Sequence, residues 1–240
     1  IYLLSLIGII TMILLSAAYK RNIIWRTDIT LYEDSERKAP GDKRPHNDLG
    51  NIYARQGRLN EAIQEYRTAL KIDPNYTIAH IGLGKLYEAQ GKFDKAIEEY
   101  IFVLKINPNS IAAHNNLGVV YYKQGRLDEA VKEYQTAIEL NPYRADIHFN
   151  LGIVYDAQGV LDGAIKEYQT ALRLEPDFAE AHNNLGNTYA KNGKLDEAVK
   201  EYLIALQIRP DHQRARNNLE IILKLKPNHP EAKRALEELR

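Results

Sequence analysis

The sequence predicts an all-α solenoid, built from helical hairpins stacked in a row and preceded by one transmembrane helix. Three observations lead there. Leu49-Gly50, Leu83-Gly84, Leu117-Gly118, Leu151-Gly152 and Leu185-Gly186 recur at a constant spacing of 34 residues. Further columns keep the same step: Tyr53 to Tyr189, Gly57 to Gly193, Ala62 to Ala198, Tyr66 to Tyr202 and Pro74 to Pro210. A fixed period of this length is the mark of a solenoid. Ahead of the repeats, residues 1–19 carry no charge.

The copy at 111–144 shows how each unit is built. Leu117, Val120 and Tyr121 make one helical stripe, and Ala130, Val131, Tyr134, Ala137 and Ile138 make a second. Gly125 separates them, where a helix stop calls for a residue that tolerates positive φ. Asp128 then falls where an N-cap is wanted, with Glu129 beside it near the positive end of the helix dipole. Asn60, Asp94, Asp162 and Asp196 repeat that expected cap. Pro142 ends the second helix by disfavouring the α conformation of the residue before it. Gly118 and Ala130 are small, as a close approach of two helix backbones requires. A hairpin of this kind cannot bury both stripes alone and must stack on its neighbours. These columns resemble the tetratricopeptide repeat (TPR) over roughly residues 43–212, and the resemblance implies a right-handed α-α superhelix.

Taken in order, the chain opens on Ile1, and a longer protein is expected upstream. At 1.5 Å per residue, the run at 1–19 comes just short of the ~30 Å hydrocarbon thickness. Ser16-Ala17-Ala18 would suit a cleaved signal, but the basic leader is missing and the apolar run exceeds the usual ~7–15 residues. A membrane span is the expectation. Residues 20–42 follow as an amphipathic juxtamembrane linker or N-terminal cap, with Trp25 suited to the headgroup level and Lys20, Arg21 and Arg26 to the anionic surface. Arg21-Asn22, Trp25, Leu31-Tyr32, Pro40, His46 and Leu49-Gly50-Asn51 resemble a junction found in the transmembrane-and-TPR-repeat O-mannosyltransferases, where a last span passes into a TPR array. That resemblance implies a catalytic membrane domain before Ile1, none of whose catalytic residues stands in this chain.

Five repeats are expected at 43–76, 77–110, 111–144, 145–178 and 179–212. A degenerate sixth copy follows at 213–240, with Glu220 where the glycine belongs, and reads as polar capping helices.

Composition narrows the function. Thirty-two basic and thirty-two acidic residues give no net charge, so electrostatics offers no case for nucleic acid. The absence of cysteine removes disulfides and thiolate metal sites. No His-Glu-x-x-His, phosphate-binding loop or nucleophile elbow occurs, and no catalytic, metal or cofactor residue is assigned. His46, His80, His114, His148 and His182 occupy one repeat position. Helix packing sets neighbouring copies about 8–10 Å apart, too far to share one ion. These histidines are expected to pack between helices.

The TPR resemblance turns repeat positions 2, 5, 6, 9, 12 and 13 toward a concave groove. Position 6 holds Asn116, Asn150, Asn184 and Asn218, with Asp48 and Gly82 in the first two copies. This is similar to the asparagine ladder of the O-GlcNAc transferase TPR array, where amides grip peptide backbone. A carboxamide offers both donor and acceptor to a peptide group. The other reading is that these amides merely solvate a helix face. Ile81, Lys85, Val119, Tyr122, Phe149 and Ile153 complete the expected groove. The apolar members make a partner patch if exposed and interhelical packing if not. The basic positions of a chaperone-type carboxylate clamp are missing.

The expected function is a membrane-tethered protein-interaction scaffold holding an extended polypeptide. Two other readings stand: the non-catalytic, substrate-presenting arm of a membrane glycosyltransferase, and a self-assembly module. Lys20 and Arg21 beside the span would place the repeats in the cytoplasm, whereas the glycosyltransferase resemblance implies a periplasmic or lumenal array.

Overall fold

The computed structural model describes residues 12, 14–16, 32, 41–226, 230 and 232–234. The expected span at 1–19 and linker at 20–42 lie almost wholly outside the described residues. Among the described residues no helix is long and apolar enough to cross a membrane, and none lies in a strand.

The chain divides into two compact units, residues 1–108 and 109–240. The first holds two hairpins: α1 (Lys43–Arg55) with α2 (Leu59–Ile72), and α3 (Thr77–Ala89) with α4 (Phe93–Ile106). The second holds three: α5 (Ile111–Lys123) with α6 (Leu127–Leu140), α7 (Ala145–Ala157) with α8 (Leu161–Leu174), and α9 (Ala179–Lys191) with α10 (Leu195–Ile208). The last described helix of that unit is α11 (Gln213–Leu225).

Each hairpin turn is a Schellman closure. Gly125 lies at φ 74°; its N–H donates to the Tyr122 carbonyl at 2.9 Å and the Arg126 N–H to the Tyr121 carbonyl at 2.9 Å. The glycines at 57, 91, 159 and 193 share the left-handed conformation, which a Cβ would strain. This tight turn corrects one sequence expectation. The residue after the glycine closes one helix and caps the next, so Arg58, Lys92, Arg126, Val160 and Lys194 stand at the N-caps, and none caps with its side chain. Asp128 lies inside the first turn of α6, where it only complements the helix dipole. Arg126 instead pairs with Glu129 at 2.9 Å and lies over the Tyr121 ring at 4.3 Å. Second helices stop at the residue before proline, which turns extended: Asn141 takes φ −151°, ψ 100°.

The alanines at 62, 96, 130, 164 and 198 are wholly buried between paired helices. Gly118 makes room for a ring and not, as expected, for a second backbone. A Cβ there would come within 2.7 Å of the buried Tyr134 ring, and Gly50, Gly84, Gly152 and Gly186 meet Tyr66, Tyr100, Tyr168 and Tyr202 in the same way. At the end of the second unit, Ala215, Leu219 and Ile222 of α11 and Ala232 close a core with Ala198, Val199, Tyr202, Ala205 and Leu206.

Candidate functional site

Stacking the first helices of successive hairpins side by side leaves a cleft of about 430 Å³ in the second unit. Tyr122 of α5, Ile153 and Asp156 of α7, Asn184, Asn187 and Lys191 of α9, and Asn218, Ile221 and Leu225 of α11 line it. Tyr168 and Tyr202 rise into it from the second helices. Its apolar edge is open to solvent: Tyr122 is 37%, Ile221 52% and Leu225 67% exposed. One ion pair stands in the wall. Lys191 Nζ donates to Asp156 Oδ2 at 2.5 Å, and the buried Thr188 hydroxyl donates to Asp156 Oδ1 at 3.1 Å. Burial raises the pKa of the Tyr168 and Tyr202 hydroxyls, which stay protonated. Tyr202 donates to Asn187 Oδ1 at 2.8 Å. Such a surface offers apolar contact, amides and one compensated ion pair.

Of the residues expected to form the groove, the cleft brings together Tyr122, Ile153, Asn184 and Asn218. Asn116 is buried on α5 and Val119 half-buried. Asn150 donates to Asn115 Oδ1 at 3.2 Å, along the row and not outward. Asn218 likewise donates to Asn183 Oδ1 at 3.0 Å and Asn187 Oδ1 at 2.8 Å. Phe149 is turned onto its neighbours, its ring 4.7 Å from Phe178 and 5.9 Å from Tyr168. Ile81 and Lys85 stand on α3 of the first unit, half-buried and exposed respectively. Asp156, Asn187, Lys191, Ile221 and Leu225 join the cleft without having been singled out, although repeat positions 9, 12 and 13 contain them.

The histidines carry partners that the sequence reading missed. His46, His80, His114, His148 and His182 each place Nδ1 at 2.6–2.8 Å from a glutamate Oε2 on the second helix of their own hairpin. The glutamates, at 65, 99, 133, 167 and 201, always stand nineteen residues on and form a column that was there to be read. Burial opposes protonation of His80. The hydrogen bonds to Glu99 and the Pro74 carbonyl, with the Glu99 charge, outweigh it and raise the pKa above 6.5. His182 is raised likewise, against burial, by Glu201, the Pro176 carbonyl and Asp177. Among the described residues, no group of three His, Cys, Asp or Glu side chains is placed to hold a metal ion.

Comparison with known proteins agrees with this architecture. A Protein O-mannosyl-transferase of Caenorhabditis elegans is 31% identical over 65 residues, 27% of this chain but only 9% of that protein. The crystal structure of MamA superposes with a TM-score of 0.61 at 32% identity, covering 69% of this chain and 97% of MamA. YrrB, described as a TPR protein with an unusual peptide-binding site, superposes with a TM-score of 0.61 at 24% identity, over 79% of this chain and 97% of its own, a likeness of fold. The model of the Cilia and flagella-associated protein 70 C-terminal domain family matches residues 26–238. The chain is a tetratricopeptide-repeat protein and belongs to that family.

Proposed function

We propose that the chain is a membrane-tethered scaffold that holds an extended polypeptide in the cleft of its second unit. The observation that carries this is the cleft itself, with its solvent-exposed Ile221 and Leu225 beside the amides of Asn184, Asn187 and Asn218. Exposed apolar side chains next to amide groups suit a partner that brings its own backbone and apolar side chains. The uncharged run at 1–19 supports the tether. The partial likeness to a Protein O-mannosyl-transferase supports a narrower form, in which the array presents a polypeptide to a membrane enzyme encoded upstream.

Selection from a random peptide display library on the full chain in detergent tests the binding role. Peptides rich in apolar residues are expected, and Ile221→Asp should abolish their capture while the helical circular dichroism spectrum stays unchanged. Equal capture by the folded variant would exclude the cleft as the binding site.

A further inference from the structure

Three of the buried histidines can be followed on both sides of the ring. His80 Nδ1 lies 2.6 Å from Glu99 Oε2, and its Nε2 lies 3.0 Å from the Pro74 carbonyl. His148 stands between Glu167 Oε2 at 2.6 Å and the Pro142 carbonyl at 3.0 Å. His182 stands between Glu201 Oε2 at 2.6 Å and the Pro176 carbonyl at 3.1 Å. Both neighbours of each ring are acceptors. A neutral imidazole has one N–H and one lone pair, so it serves one acceptor and turns its lone pair on the other. Only the imidazolium, a donor at both nitrogens, satisfies both.

The two acceptors belong to different parts of the stack. The glutamate stands on the second helix of the histidine's own hairpin, and the proline carbonyl in the turn that leads in from the hairpin before. The ring therefore ties an entry turn to a helix that the sequence reaches only later. We propose that His80, His148 and His182 are proton-gated joints. Protonated, each clamps the entry turn of its hairpin to the second helix; neutral, each releases one side, and the entry turn loosens.

The charged groups facing the rings are acidic. Glu99 of α4 faces His80, Glu167 of α8 faces His148, and Glu201 of α10 with Asp177 of the entry turn faces His182. The Phe102 ring, centred 4.3 Å from that of His80, adds no charge. Among the described residues none of the three glutamates pairs with a lysine or arginine, so the ring is the cation each has. For His80 and His182 these surroundings outweigh burial and favour the charged ring, so those joints hold at low pH and open as pH rises through the raised ring pKa. This goes beyond the binding role and holds whatever the cleft takes up.

Nuclear magnetic resonance of the full chain in detergent, labelled uniformly with nitrogen-15, reads the joints directly. His80 and His182 should show imidazolium shifts above the ordinary histidine pKa of about 6.5. As these two rings titrate, protection of the Tyr76 and Ala179 amides, corrected for intrinsic exchange, should fall about tenfold. Glu201→Gln should bring the His182 titration down, with Ala179 exchanging fast from a lower pH than in the parent and Tyr76 unaffected. Neutral His80 and His182 rings at pH 6, entry-turn protection indifferent to ring titration, or an unchanged His182 titration in E201Q would each overturn the proposal.

Discussion

Inside the third hairpin the Tyr134 ring stands where a Cβ on Gly118 would come within 2.7 Å, and glycine meets tyrosine in the same way in all five hairpins. Across the cleft, the matching position of successive first helices passes from Ile153 to Asn187 to Ile221. The contrast separates two kinds of requirement. Where a ring fills the space beside a backbone, the hairpin alone dictates both residues, and every copy repeats them. Where a side chain faces the cleft, the hairpin demands less: Asn187 accepts from Tyr202 of its own hairpin, yet Ile153 and Ile221 fill the same position without such a bond, so the position is free to vary with whatever lies outside the chain.

Four substitutions break or sharpen this contrast. Tyr134→Ala empties the space between paired helices and should cost about 3–5 kcal/mol, read from the midpoint and slope of urea unfolding. Gly118→Val forces the same ring aside from the other partner and should cost about 1–3 kcal/mol in the same titration. Asn218→Ala removes two donated bonds and leaves the Asn183 and Asn187 oxygens without them. Its loss should be about 1–3 kcal/mol if the row is structural, and a stability unchanged from the parent would show those bonds to be worth nothing. Ile221→Asp, on a half-exposed side chain, should leave stability within about 0.5 kcal/mol, while peptide capture is lost. Stability losses that ran in the opposite order would mean that the cleft face, and not the hairpin interior, holds the stack together.

The pH dependence carries its own sign. His80 and His182 have folded pKa values raised above 6.5, so they contribute stability that is complete below that value and fades as pH rises through the folded ones. Thermal unfolding of the parent should therefore shift to lower temperature as pH climbs from about 6 to about 8. Replacing both histidines by glutamine should flatten that part of the slope.

Much of this molecule was legible in the sequence because its contacts repeat. A column of glycine every 34 residues, set against a column of tyrosine, announces a hairpin before any coordinate is known. The turn residues were legible for the same reason, since only glycine takes the φ of 71–76° found at all five closures. The expected caps, Asn60 and the aspartates, were misplaced because the closure merges a helix stop with the next helix start, which sets the N-cap two residues earlier, at Arg126 and not Asp128. The glutamate partners escaped because nineteen residues is not a helical spacing, and only the hairpin brings them beneath the histidines. The asparagine row was visible as a row. What each amide bonds to depends on a few tenths of an ångström between neighbouring helices, a quantity that periodicity does not encode.

The histidine ties span six residues backward and nineteen forward, and among the described residues every pair of helices in contact is adjacent or next but one along the chain. Among the described residues no helix contact waits for a distant part of the polypeptide. Chains of such low contact order fold fast, since little loop entropy is lost before contacts form. A hairpin here can close soon after its last residue leaves the ribosome, at about 5–20 residues per second of synthesis. Within each unit the hairpins are thereby assembled in the order in which they are translated, and a later hairpin finds the one before it already folded as a template.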